Sequence, residues 1–419
     1  MTRTGRPADQ PARDRIATDL VENLFVEAGA GTGKTTALVG RMVALVLDRE
    51  MPIESIVAIT FTERAAMELR DRFRLSLEGV ARSDNEGNHR LLAEQALTDI
   101  DLAAISTLHG FARRILAEHP LEAGLPPTFE LLDEVTSRLT FNDRWNDLEH
   151  HLLDDPALSH TLLLAADLDI TPSHLRNLAK KLDENWDLLS VAKHPPPEPA
   201  VNVGPLLEAL AAITIFGRDD LPTDDKLQIR LDAVESLRAE LASTTDEFAM
   251  LTLLQGKRGL STVKFGNPGA IAVWGETKDE IMVAKKAAVD TWTATLIDVS
   301  DQVLQRLLHE LIVGTRAAAE DRRQAGVLTF HDLLVDARDL LADPDVGPEV
   351  RASLNERYQA ILLDEFQDTD PVQLELALMI ADPIARPAAP LDEVSPVGGS
   401  VFMVGDPKQS IYRFRRADI

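Results

Sequence analysis

LFVEAGAGTGKTT, Leu24 to Thr36, decides how the rest of the chain is read. Leu24 to Ala28 is a short apolar run of strand character. A glycine-rich turn follows, and then a lysine and two threonines open a helical stretch. Backbone N–H groups of such a turn converge on phosphate oxygens at a helix N-terminus, where the helix dipole adds its own attraction for anions. Lys34 can reach the β- and γ-phosphates, and the Thr35 hydroxyl can bind Mg²⁺. The candidate cradle is Ala28, Gly29, Ala30, Gly31, Thr32, Gly33, Lys34, Thr35 and Thr36. Its first position is usually glycine and is Ala28 here. A glycine-rich turn carrying a lone lysine would not account for the strand before it and the helix after it.

A phosphate loop needs an acid at the end of another strand to hold the metal and position water. Tyr358 to Leu363 is an apolar strand candidate, and Asp364 and Glu365 follow it directly. Asp364 is the expected magnesium ligand, together with Thr35. Glu365 is expected to orient or deprotonate water. Asp370 and Pro371 read as an N-cap with proline at the first helical position.

Outward from these strings, the chain divides into three zones. Residues 1–132 alternate strands with amphipathic helices. Ser55 to Thr60 and Asp101 to Ser106 are further strands, and the helix between them repeats apolar residues at Ala65, Ala66, Leu69, Phe73 and Leu77. Residues 133–326 read as mainly helical, broken at Pro195 to Pro197 and between Gly256 and Gly269. The proline-rich stretch Lys193 to Pro205 reads as a surface connection. Residues 327–419 return to alternation, with Val401 to Val404 as a strand and Pro383 to Gly399 as a loop. Near-continuous apolar strands between helices predict an α/β fold, a parallel sheet flanked by helices. The first and third zones are expected to form one domain of P-loop NTPase type, with the helical zone inserted.

Composition narrows the class. The 419 residues are 45% hydrophobic and include no cysteine, so disulfides and thiolate metal sites are excluded. No apolar run is long enough for a bilayer, and the N-terminus lacks a secretory signal. A cytoplasmic protein without membrane partners is the expectation. With 43 basic and 69 acidic residues the net charge is −26, which argues against a generally basic surface. Nucleic acid binding needs only a local positive groove.

Four more strings choose among the P-loop classes. They are TFTERAAMEL (Thr60 to Leu69), STLHGF (Ser106 to Phe111), DEFQD (Asp364 to Asp368) and VGDPKQSIY (Val404 to Tyr412). In this order, with the phosphate loop, they resemble the UvrD/Rep family of superfamily-one DNA helicases. The resemblance implies a RecA-like motor domain, ATP and Mg²⁺ as cofactors, and single-stranded and duplex DNA as partners. It implies 3′→5′ ATP-dependent translocation and unwinding in recombination and repair. By resemblance, Gln10 reads adenine, Arg41 lies beside the nucleotide, and Gln409 senses the γ-phosphate alongside the catalytic set of Lys34, Asp364 and Glu365. Gln367 links the water-activating acid to that coupling. Thr60, Phe61, Thr62, His109, Phe111, Tyr412, Phe414 and Arg415 match DNA-contacting positions. Arg113, Arg114, Arg413 and Arg416 add local positive charge.

Departures point to a branch. Phe414 stands where UvrD-type enzymes often carry Trp, and Arg416 where glycine is common. The interval from Lys34 to Asp364 is long, and LTFHDLL (Leu328 to Leu334) is similar to a RecB/AddA segment. That branch implies a second helicase or nuclease subunit. The sequence assigns Asp332 no physical role. The family's second motor domain and any nuclease domain are expected to be absent, the chain reading as an N-terminal piece. Alone it is then expected to hydrolyse ATP poorly, or to serve as a truncated ATP- or DNA-binding module.

Overall fold

The computed structural model describes residues 9–29, 31–83, 88–368, 371–382, 394–406 and 408. Two compact units emerge. One comprises residues up to Glu134 and from Asp321 onward, and the other is Val135–Glu320.

Among the described residues the first unit has seven strands, β1 (Leu24–Glu27), β2 (Ile56–Thr60), β3 (Ala104–Thr107), β4 (Glu130–Leu131), β5 (Val327–Leu328), β6 (Ala360–Leu363) and β7 (Val401–Gly405). Five form one sheet in the order β1-β7-β6-β2-β3, and every pairing is parallel. Ala58 pairs with Leu362 on one side and Ile105 on the other. β4 and β5 form a separate parallel pair. β2 and β6 are buried along their whole length, which is why they read as unbroken apolar runs. β1, at the end of the described sheet, alternates: Leu24 and Val26 are half-buried, while Phe25 and Glu27 are exposed.

The pleat sends alternate side chains to opposite faces. Ile56 and Ala58 join a core with α1 (Gln10–Thr18), α2 (Lys34–Leu47), α3 (Glu63–Arg82) and α4 (Asn88–Thr98), where Met42, Leu45, Phe73 and Leu77 are buried. Val57 and Ile59 face a second core, packed by α5 (Leu108–Glu118) and the helices Phe330–Ala342, Gly347–Arg357 and Pro371–Ala381. Parallel connections place the loops after β1, β2, β6 and β7 along one edge, where folds of this kind bind ligands.

The second unit is helical with its own core, including Trp145, Leu206, Val234 and Trp292. Its last helix, Thr277–Ala325, carries the chain back into the first unit. The proline-rich connection runs largely exposed, as expected, while Val201 and Val203 turn into the helical core. Gly256 to Gly269 includes a helix, Lys257–Val263. The predicted Asp370 cap and residues 383–393 of the predicted loop lie outside the described residues. The remainder of that loop is irregular. Among the described residues, no helix is long and apolar enough to cross a membrane.

Candidate nucleotide-binding site

The phosphate loop leaves β1 held to its neighbour, the Ala28 N–H donating to the Gly405 carbonyl at 2.9 Å. The Thr32 hydroxyl and N–H both return to the Gly29 carbonyl, at 2.7 and 3.3 Å, and close the turn. Gly33 precedes α2 at φ +93°, a conformation that a Cβ would strain. Lys34 and Thr35 then occupy the first helical turn, both half-buried, and Thr36 is exposed. Ala30 lies outside the described residues.

From the other strand, Asp364 and Glu365 meet this turn. Lys34 Nζ donates to Glu365 Oε2 at 2.6 Å, across 331 positions of sequence. Glu365 sits at φ +54°, left-handed backbone for a side chain with a Cβ. Such a conformation costs on the order of 1–3 kcal/mol and persists where surrounding structure enforces it. Its N–H donates to Asp364 Oδ1 at 3.0 Å. Burial, and then the neighbouring Glu365 charge, push the Asp364 carboxyl up to about 6, although Lys34 and the Glu365 N–H pull the other way. Two adjacent carboxylates facing one ammonium leave excess negative charge, and this donor set fits a divalent cation.

Gln367 ties the acids to β7. Its amide donates to Glu365 Oε2 at 2.7 Å and accepts from the Asp406 N–H at 2.8 Å. A Cβ on Gly405 would stand 2.8 Å from Gln367 Oε1, so the bridge needs glycine there. Gln367 is therefore placed between the acid and the strand that leads toward Gln409, which itself lies outside the described residues.

Other predicted positions separate. Gln10 donates to Asp14 within its own helix at 2.7 Å. Arg41 is buried, donates to the carbonyls of Ile16, Asp19 and Glu22 at 3.1, 2.8 and 3.2 Å, and lies over the Phe402 ring. Its donors fasten the end of α1 and the chain that leads from it to β1.

On the β2–β3–β6 side a cavity of about 430 Å³ is lined by Thr60, Phe61, His109, Phe330, Asp364 and Glu365, among others. Phe61 is 41% exposed at its rim. Thr62 caps α3, accepting from the Ala65 N–H at 3.1 Å. The His109 ring meets Phe330 edge to face at 5.5 Å. Burial holds the His109 imidazole below its ordinary range, His331 adds to this, and Glu63 opposes it. Phe111 is corrected from DNA contact to core. It is 2% exposed and packs edge to face on Tyr358. Helical spacing places it with Leu108, Ala112 and Ile115 on the inner face of α5. Tyr412, Phe414 and Arg415, with Arg413 and Arg416, lie outside the described residues.

Two features were missed in the sequence. Arg13 donates to the Thr32 carbonyl of the phosphate loop at 2.7 Å, and only its position four residues after Asp9 hints at an ion pair. Asp332 gains a role. It pairs with Arg322 at 2.7 and 2.9 Å and forms a capping box with Thr329.

A parallel sheet whose first strand leads through a glycine loop into a helix, with an Asp-Glu pair on a second strand meeting the loop's lysine, is a P-loop domain of RecA-like type. More narrowly, the chain belongs to the UvrD/REP helicase N-terminal domain family, which it matches over residues 9–419. It is similar to the A-type subunits of ATP-dependent helicase/nucleases from several bacteria. The Pediococcus pentosaceus protein is 26% identical over 94% of this chain and 34% of its own length. That of Levilactobacillus brevis is 26% identical over 97% and 35%, and that of Latilactobacillus sakei 25% over 98% and 49%. The chain thus spans about a third to a half of the length of these curated relatives.

Proposed function

We propose that this chain is the ATP-binding part of an ATP-dependent DNA helicase or helicase-nuclease subunit, moving 3′→5′ along single-stranded DNA and unwinding duplex in recombination and repair. The observation that carries the reading is the 2.6 Å contact between Lys34 and Glu365. A lysine at the head of a helix and a carboxylate 331 positions away meet where a triphosphate would lie. The names of the relatives, which describe one subunit of a helicase/nuclease, agree with this reading and suggest that a second polypeptide is the partner.

In this reading, backbone N–H groups of Gly29 to Thr35 bind the phosphates. Lys34 exchanges Glu365 for γ-phosphate oxygens, and the released carboxylate orients the attacking water. Gln367 holds that carboxylate in place and passes its position to β7. Mg²⁺, held by Thr35 and Asp364, would neutralise charge on the phosphate oxygens. Thr60, Phe61 and His109 line the candidate single-strand surface, where an exposed ring can stack on any base.

Titration of the 419-residue chain with Mg-ATP tests the site. Lys34→Ala is expected to weaken binding by about a hundredfold, the scale of a charge-assisted phosphate contact, with an unchanged melting temperature. Equal affinity of the two proteins would refute the phosphate-site assignment.

A further inference from the structure

Beyond the acids and the lysine, α1 makes its own contact with the phosphate loop. Asp9 stands at the helix N-cap, yet its carboxylate makes no capping bond. It is held instead by Arg13, whose Nε and Nη2 donate to Asp9 Oδ2 at 3.0 and 2.7 Å. The same Nη2 donates to the Thr32 carbonyl at 2.7 Å. A Cβ placed on Gly33 would lie 3.5 Å from Arg13 Nη1, so the guanidinium lies against the Thr32–Gly33 peptide. Gln10 in the same helix is occupied with Asp14.

A trans peptide points its C=O and the following N–H in opposite directions. Arg13, by gripping the Thr32 carbonyl, therefore fixes the Gly33 N–H on the other side of that peptide. In the phosphate loop that is the side on which donors must converge. Gly33, without a Cβ and at φ +93°, has little intrinsic restraint of its own there. We propose that Arg13, braced by Asp9, is a positioning residue for the phosphate loop: it sets the Gly33 N–H toward the phosphates of a nucleoside triphosphate. The inference rests on the nucleotide-site reading above. It places the contribution of α1 on the phosphates, not on the base.

The test compares two probes, Mg-ATP and inorganic tripolyphosphate with Mg²⁺, against the full 419-residue chain. Arg13→Ala is expected to weaken both by the same factor, roughly tenfold, as for loss of one charge-assisted bond discounted for exposure. Asp9→Asn, which leaves Arg13 unbraced, is expected to weaken both by a smaller common factor. Arg13→Lys, which keeps a donor for Thr32, should recover part of the loss. Circular dichroism and the melting temperature should match the parent. A loss confined to Mg-ATP would overturn the proposal, because it would place Arg13 on the base or ribose. Unchanged affinity for both probes in Arg13→Ala would also overturn it. If Arg13→Ala fails to fold, Asp9→Asn decides by the same comparison. Lys34→Ala separates the two levels. Loss of binding there with none in the α1 variants sinks only this inference, whereas no loss in Lys34→Ala sinks the site itself.

Discussion

Removing the Asp332 carboxylate should destabilise the sheet-bearing unit heavily. Asp332 accepts from Arg322 Nε at 2.7 Å and Nη2 at 2.9 Å, and from the Thr329 N–H at 2.9 Å. The two side chains are 3% and 5% exposed, so solvent cannot take over these bonds. Asp332→Ala takes both of these acceptor oxygens away from the Arg322 guanidinium in a buried site. Breaking one side of such a pair costs about 3–5 kcal/mol. At about 2–4 °C per kcal/mol for a unit of roughly 150–250 residues, the melting temperature should fall by about 6–20 °C. The assay can assign the loss to a unit, because the protein's four tryptophans, Trp145, Trp186, Trp274 and Trp292, all lie within Val135–Glu320. Circular dichroism follows both units, while tryptophan emission reports the helical one. The variant should shift the first signal more than the second. Replacing both partners with apolar residues, Arg322→Met with Asp332→Leu, should restore most of the stability. A loss below about 1 kcal/mol in Asp332→Ala would refute the reasoning, since it would mean that the buried charge finds solvent. Acid gives an independent check. Burial works to raise the Asp332 carboxyl, but the Arg322 bond and charge and the Thr329 bonds outweigh it, so the folded value lies below the ordinary one. Its contribution is complete above about 3.9 and is lost as pH falls through the folded value. Asp332→Ala should lack that part of the acid transition.

Phe111→Ala is expected to cost about 3–5 kcal/mol in urea unfolding, as for a buried ring, whereas Phe61→Ala should leave stability within about 1 kcal/mol and weaken single-stranded DNA binding by roughly 5- to 100-fold, as for loss of one stacking ring. The opposite pattern in the two assays would return Phe111 to the surface. His109 is held neutral by burial and by His331. Below about 6.5 the unfolded chain therefore takes up that proton first, and stability falls with pH until the depressed folded value is reached. His109→Gln should flatten the fall in melting temperature between about pH 7.5 and 5.5, and an unchanged slope would show that the imidazole is freely solvated.

The legible parts of the fold are those where one local pattern has one structural outcome. β2 and β6 read correctly because a strand buried on both faces must be apolar throughout. The Ala66, Leu69, Phe73 and Leu77 face of α3 followed from its period. Phe111 was misplaced because a string resemblance outweighed a periodicity already present in Leu108, Ala112 and Ile115. The anchoring of Arg41 was not legible, because its three partners, Ile16 near the end of α1 and Asp19 and Glu22 beyond it, are main-chain carbonyls that follow no sequence pattern. Arg13 was invisible for the same reason, since its acceptor is a main-chain oxygen 19 residues away. Lys34 and Glu365 were paired in advance only because phosphate chemistry demands both.

How β2 and β6 become neighbours despite the intervening helical unit has a local explanation. Before the insertion the chain runs through β4, and after it through β5. These two short strands pair in parallel, Glu130 beside Val327 and Leu131 beside Leu328. Flanking bonds extend the pair, with the Glu130 N–H on the Gly326 carbonyl at 2.7 Å and the Leu132 N–H on the Leu328 carbonyl at 2.8 Å. Gly326 turns at φ +66°, and a Cβ there would meet Pro126 at 3.0 Å and the Thr128 carbonyl at 3.2 Å. Exit and entry are thus clamped side by side, so the sheet sees the insertion as a closed loop. Loop-closure entropy grows only with the logarithm of length, about 0.6 kcal/mol per doubling. A few backbone bonds at the root, reinforced by Arg322 on Asp332 beyond it, are enough to offset such a term. The acids on β6 can therefore be set against the phosphate loop by contacts inside the first unit, whatever the length of chain folded between them.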